Sequence, residues 1–253
     1  MQVRALAPFG AELTGFDAGV SGDTLRDLAA RHRVLVLRGH GWGNDRFIAM
    51  LEAMGELTFT TGEQPVDGAE RLNLVTNVGR TRTPRSVFHT DTSYVPAPPA
   101  YTALRAVEVP RAGGATLFSD QAAVAAGLPA RVRRALEGRT LLHSYTRPDG
   151  VTQEHRHPVL CRHPISGETT LYLSTPERCS ALSGVDAKAS KRIVKLLYRR
   201  STRPGGLYRH RWQPGDIVLW DDRLTMHKAD HSAVDGDRTL HRGLVAGEPL
   251  LAA

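Results

Sequence analysis

The chain opens on mixed periodicity. From Asp23 to His32 apolar residues recur at helical spacing, at Leu25, Leu28 and Ala29, behind a polar start, which predicts a helix. Val34-Leu-Val-Leu37 follows as an unbroken apolar run closed by Arg38-Gly39, and it reads as a short buried strand. Asn44-Asp45 reads as the cap of a second helix through Met54, with Phe47, Ile48, Met50 and Leu51 supplying its apolar faces. Leu72 to Thr76 is a further strand.

Beyond about Tyr101 short β-like runs take over. They span 101–109, 115–118, 140–145, 159–162, 170–174, 208–212, 217–220 and 239–246. Gly113-Gly114, Pro164 to Gly167 and Pro214-Gly215 punctuate them. Two helical inserts interrupt, Gln121 to Glu137 (broken at Gly127 to Pro129) and Asp186 to Arg200. Many short strands with turn signals predict a mainly β fold with flanking helices, a barrel or jelly roll, in place of a parallel βαβ sheet. A length of 253 residues fits one such domain over 1–253.

Composition narrows the function classes. Hydrophobic residues make up 41% and charged residues 23%, enough for a sizeable core. No stretch approaches the run of about 20 apolar residues that spans a bilayer, so no membrane segment is expected. MQVRALAPFGAELTG lacks an apolar signal core, which makes a cytoplasmic location the default. Cys161 and Cys179 have no zinc-type spacing and read as reduced structural thiols. The net charge of +7 suits nucleic acid, an anionic surface or an acidic substrate. It is scattered, however, and aromatics are only 6%, with no stacking platform among the arginines. A small-molecule partner is therefore expected, nucleic acid is set aside, and a homo-oligomer stays open.

The candidate chemistry begins at Phe88-His89-Thr90-Asp91, just after the polar, basic loop Thr81 to Ser86. In a strand, His89 and Asp91 share a face and offer one imidazole and one carboxylate. Taken alone, His-x-Asp is equally a half-exposed edge pair. A second histidine from a distant strand would complete a facial triad with three open metal positions, the design of non-haem iron oxygenases. Gln213-Pro-Gly-Asp-Ile-Val-Leu-Trp-Asp-Asp-Arg-Leu-Thr-Met-His227 supplies one: a turn at Pro214-Gly215, an apolar strand, then polar residues and His227. Arg238 follows eleven positions later.

These motifs, in this order, resemble the taurine dioxygenase-like (TauD/TfdA) family of iron(II)/2-oxoglutarate oxygenases. The resemblance includes Pro8 to Gly15, Val34 to Gly39, His89-Thr-Asp91, Gly113 to Asp120, His157 to Gly167, Trp220-Asp-Asp-Arg223, His227 and Arg238-Thr-Leu-His-Arg242, nearly the whole chain. It implies a double-stranded β-helix, the cupin-like jelly roll. It implies that His89, Asp91 and His227 bind Fe(II), and that Arg238 and Thr116 anchor 2-oxoglutarate. Arg242, four residues after Arg238, is implied to bind the cosubstrate or an anionic substrate group; the planar guanidinium fork suits a carboxylate. The implied reaction consumes O2 and 2-oxoglutarate, hydroxylates an unactivated carbon and releases succinate and CO2. An intact Asp91 argues for hydroxylation over halogenation, while desaturation, cyclisation or bond cleavage stay open.

The chain also departs from the family pattern. Asp222 stands where relatives carry Asn, and Ser174 and Glu177 stand where many carry Asn and Phe. Arg85 stands where taurine-specific relatives place a small polar contact, which speaks against taurine. Arg85 or Arg242 gripping an acidic group, with Glu177 meeting an amine, would suit a small anionic or zwitterionic substrate resembling an amino acid, phosphonate or sulfonate. The segment 58–86 is expected to close over it. The rival classes are a zinc-dependent barrel and a non-catalytic binding barrel, since zinc also accepts two His and an Asp. Neither has use for Arg238 and Thr116.

Overall fold

A computed structural model describes residues 1–16, 19–60, 62–80 and 86–253. Its frame is a nine-stranded sheet. In spatial order the strands are Gln2–Ala5, Ala11–Thr14, Val34–Leu37, Ile217–Asp221, Tyr101–Glu108, Thr239–Val245, Ala69–Thr76 and Pro65–Val66, with Leu57–Thr58 added beside Thr239–Val245. Neighbours are antiparallel except Ala11–Thr14 and Val34–Leu37, which run parallel. Three three-stranded sheets complete the β-structure. One of them places Thr116–Asp120 between Leu207–His210 and Thr225–Ala229.

The continuous apolar runs arise because the central strands are buried on both faces. Leu35, Leu37, Ile217 and Leu219 pack against the helices Gly22–His32 and Asn44–Glu52 through Leu25, Ala29, Phe47 and Leu51. Their alternate neighbours Val34, Val36, Val218 and Trp220 point the other way, onto Phe118, Tyr208 and Trp212. Trp220 and Phe118 meet edge to face at 5.2 Å across the two sheets. Each such large side chain contributes about 1.5–3 kcal/mol by leaving water. The result is the jelly roll with flanking helices that the spacing predicts. No described helix is long and apolar enough to cross a membrane.

Most expected elements appear, and the differences have local causes. The helix insert breaks where expected, into Gln121–Ala126 and Ala130–Leu136. Asn44 does not cap its helix: Gly43 holds the N-cap position without a side-chain bond. The Asn44 amide oxygen instead accepts from Arg105 at 2.6 Å and meets His241 Nδ1 at 2.7 Å. The expected strand at 170–174 stops at Leu171, since beyond it Leu173 and Ser174 turn their polar groups to Thr90. Thr152–Pro158, Cys179–Leu182 and Thr225–Ala229 are strands that apolar runs did not announce. Both cysteines are free and buried, with thiols pushed up to about 12 by burial, as structural thiols are.

Candidate active site

His89 and His227 form a single antiparallel bridge, each backbone N–H donating to the other's carbonyl at 2.9 Å. The bridge brings the imidazoles together, ring centroids 4.4 Å apart and planes tilted by 49°. Asp91 does not lie in a strand, as expected, but opens a turn that follows His89. Convergence with His89 comes from this turn and not from strand alternation. One ligand atom from each of His89, Asp91 and His227 lies within 4.8 Å of the others, the only such group among the described residues.

The protonation states suit a metal. His89 Nδ1 lies 3.0 Å from the Val87 carbonyl, an acceptor only, so Nδ1 carries a proton and Nε2, 3.5 Å from Asp91, is the atom that would ligate a metal. Burial, and then His89, pushes the His227 imidazole down to about 3, so it is neutral at physiological pH. Burial alone would raise the Asp91 carboxyl. Arg242, His227 and His89 outweigh it and hold Asp91 well below the usual carboxylate range. Buried His227 Nδ1 has no hydrogen-bond partner.

Behind Asp91 runs a chain of buried groups. Thr102 Oγ1 lies 3.2 Å from Asp91 Oδ2 and 2.5 Å from Asp222 Oδ2, and Trp220 Nε1 donates to Asp222 Oδ1 at 2.9 Å. Burial and the nearby Asp91 charge push the Asp222 carboxyl well above its ordinary value. Thr102 thus links Asp91 to the Asp222 carboxyl, whose protonated form the site favours and which in that form donates to Thr102. Thr90 is pinned from the other side by the Leu173 carbonyl (2.9 Å) and Ser174. Arg223 is bound to Asp221, which also meets His163, away from the triad.

Arg238 and Thr116 form a second cluster. Arg238 is 3% exposed, and burial pushes its guanidinium down to about 10, so it remains charged. Its side chain donates to the Gly114 carbonyl at 3.1 Å and makes no ion pair among the described residues. Gly114 has φ of +69°, and a Cβ there would meet Arg238 Cδ at 3.1 Å, so this turn needs glycine. Thr116 Oγ1 accepts from Trp212 Nε1 at 3.0 Å, and Arg238 lies over the Trp212 ring at 6.0 Å. Trp212, part of the buried core, therefore touches both residues and positions them.

Arg242 stands at the triad itself. Its Nη1 is 3.6 Å from Asp91 and its Nη2 3.5 Å from Glu63. It borders a cavity of about 180 Å³ shared with His89, Asp91, Glu63 and Arg178. An adjoining cavity of about 500 Å³ also reaches His89, and Glu177 lines it. Arg85 lies outside the described residues. Of the segment 58–86, Thr60, Gly62 and Glu63 border the smaller cavity, whereas Ala69–Thr76 is a strand of the main sheet. Glu63 and Arg178 had no motif to announce them.

A jelly roll with two histidines and a carboxylate converging on a cavity defines the facial-triad oxygenase class. The family described as "Taurine catabolism dioxygenase TauD, TfdA family" matches residues 2–244, and the chain belongs to it. An alkylsulfatase of Acinetobacter baylyi is 27% identical, covering 98% of this chain and 86% of its own. An alpha-ketoglutarate-dependent sulfate ester dioxygenase of Pseudomonas putida is 28% identical, covering 89% of this chain and 81% of its own. The crystal structure of a taurine dioxygenase from Burkholderia xenovorans superposes with a TM-score of 0.89 at 29% identity, covering 99% of this chain and 91% of that one. The chain is an enzyme of the alpha-ketoglutarate-dependent dioxygenase class.

Proposed function

We propose that this protein is an Fe(II)- and 2-oxoglutarate-dependent dioxygenase that hydroxylates an unactivated carbon of a small anionic molecule. The observation that carries the reading is the convergence of His89, Asp91 and His227 within 4.8 Å, with His227 neutral and Asp91 ionised. Two imidazoles and one carboxylate match an iron oxygenase donor set and leave adjacent positions open. When bound, iron with 2-oxoglutarate supplies the activation of O2 for attack on a C–H bond.

The chain's own residues bind and orient. Arg238 is a buried cation with no anionic partner among the described residues, and it takes the distal carboxylate of 2-oxoglutarate with Thr116 beside it. A zinc-dependent or non-catalytic barrel would leave this cation unexplained. Thr102 and Asp222 hold Asp91 at a fixed angle. Arg242 keeps Asp91 ionised and faces the cavity. With Asp91 committed to the metal, Arg178 and Arg242 face only Glu63 around the smaller cavity, which favours an anionic substrate, as the sulfate-ester relatives' names also suggest. A zwitterion would set its amine toward Glu177 on the adjoining wall. We read the chain as one domain, with Thr60, Gly62 and Glu63 as the residues of the 58–86 segment that cover the substrate, and place the enzyme in the cytoplasm.

The test is consumption of 2-oxoglutarate under O2 with iron, screened against alkyl sulfates, alkanesulfonates, carboxylates and amino acids. Substrate-stimulated turnover abolished in Asp91→Ala supports the reading. Turnover that is indifferent to iron refutes it.

A further inference from the structure

We infer that Arg178 binds the oxyanion of the molecule being oxidised and sets the enzyme's preference for anionic substrates. The inference rests on the oxygenase reading above and names the substrate anchor of that site.

Three observations carry it. Arg178 borders both cavities that reach His89, so its guanidinium lies where they adjoin. Its Nη1 is 3.5 Å from the carbonyl of Thr90, the residue between two of the triad ligands. The cation thus sits beside the reacting centre. Second, the side chain rests on a ledge of two aromatic rings. Tyr94 and Tyr145 stack at 5.0 Å, and the guanidinium lies over them at 5.5 and 5.1 Å. Stacking of this kind fixes the plane of the fork while leaving its N–H edge free to donate. Third, among the described residues Arg178 has no carboxylate partner.

The other two cavity arginines are already engaged. Arg242 is ion-paired with Asp91 at 3.6 Å and Glu63 at 3.5 Å, its charge divided between two carboxylates although Nε and Nη2 make no hydrogen bond among the described residues. Arg147 is bound by Asp149 through two hydrogen bonds, at 3.2 and 2.6 Å, on the outer rim. Arg178 is therefore the cavity arginine without a carboxylate partner among the described residues. Carboxylate, sulfonate and sulfate all present the paired oxygens that a guanidinium edge recognises. With the oxyanion held there, the adjoining carbon chain is directed along His89, toward the open metal positions.

The test uses anaerobic protein loaded with iron(II) and 2-oxoglutarate, titrated calorimetrically with butyl sulfate, 1-butanesulfonate, butanoate and neutral 1-butanol. Wild type, Arg178→Gln, Arg178→Lys and Arg147→Gln are compared. At least one anion should bind the wild type, with 1-butanol far weaker. Arg178→Gln should weaken that anion by about tenfold or more, Arg178→Lys should recover part of it, and Arg147→Gln should change it by less than about threefold. Which anion binds separates a tetrahedral sulfo group from a planar carboxylate. Equal anion affinity in wild type and Arg178→Gln, or no saturable anion binding at all, overturns the assignment. The visible metal-to-cosubstrate band is recorded in the same samples. Its absence from wild type refutes the oxygenase reading, and the anion titrations still score Arg178 independently. Its retention in Arg178→Gln shows that the variant is folded with its cofactor site intact.

Discussion

Arg238 makes a two-sided prediction. Its guanidinium is 3% exposed and, among the described residues, hydrogen-bonds only to the Gly114 carbonyl, at 3.1 Å. The drop from the ordinary guanidinium value to about 10 corresponds to about 3 kcal/mol of penalty on the charged form in the folded protein. This penalty applies at every pH below about 10, because the unfolded chain holds its proton more tightly there. Arg238→Met removes it and also removes the hydrogen bond to Gly114, which is worth about 1 kcal/mol. Without cosubstrate the variant should gain about 1–2 kcal/mol, a rise in Tm of roughly 2–8 °C. The affinity for 2-oxoglutarate should fall roughly ten- to hundredfold, the loss expected for a charged hydrogen-bonded pair. Differential scanning calorimetry with and without 2-oxoglutarate and iron(II) reads both effects. Wild type should gain about 2.7 kcal/mol at a hundredfold excess over Kd, and the variant far less at the same concentration. A less stable variant that still binds 2-oxoglutarate with wild-type affinity would refute the reasoning.

Further outcomes follow from the buried titratable groups. Asp222→Asn should keep metal affinity, since an amide can donate to Thr102, whereas Asp222→Leu should weaken it roughly 10–100-fold in a competition titration. The raised Asp222 carboxyl penalises the fold as pH rises past its unfolded value near 4, so Asp222→Asn should stabilise at pH 8 and not at pH 3.5 in chemical denaturation. His143 and His157 are pushed down to about 3 and 4, chiefly by burial. Their contribution is complete above pH 6.5 and lost as pH falls toward 4, at up to about 1.4 kcal/mol per pH unit each. Tm should therefore fall over that interval, and His143→Gln should flatten the fall.

The fold was legible wherever both faces of an element are buried. Val34 to Leu37 and Ile217 to Trp220 declare themselves because alternate residues serve two cores at once. Thr152–Pro158 did not, because its residues are largely exposed or polar and its pairing with Thr140–Thr146 is set by a hairpin. Asn44 looked like a cap because its bonds to Arg105 and His241 span 61 and 197 positions. The triad was legible through residue type and order, yet its geometry comes from a turn at Asp91 rather than a strand. The substrate wall was the least legible part. Glu63, Tyr94, Tyr145 and Arg178 come from four separate segments and meet only in the folded chain.

The most direct test of the central claim is an anaerobic visible spectrum of the metal-free protein titrated first with iron(II) and then with 2-oxoglutarate. The account predicts a charge-transfer band that needs both, is lost in Asp91→Ala and is weakened in Arg238→Met. Iron demonstrably bound, with no band on addition of 2-oxoglutarate, would contradict it.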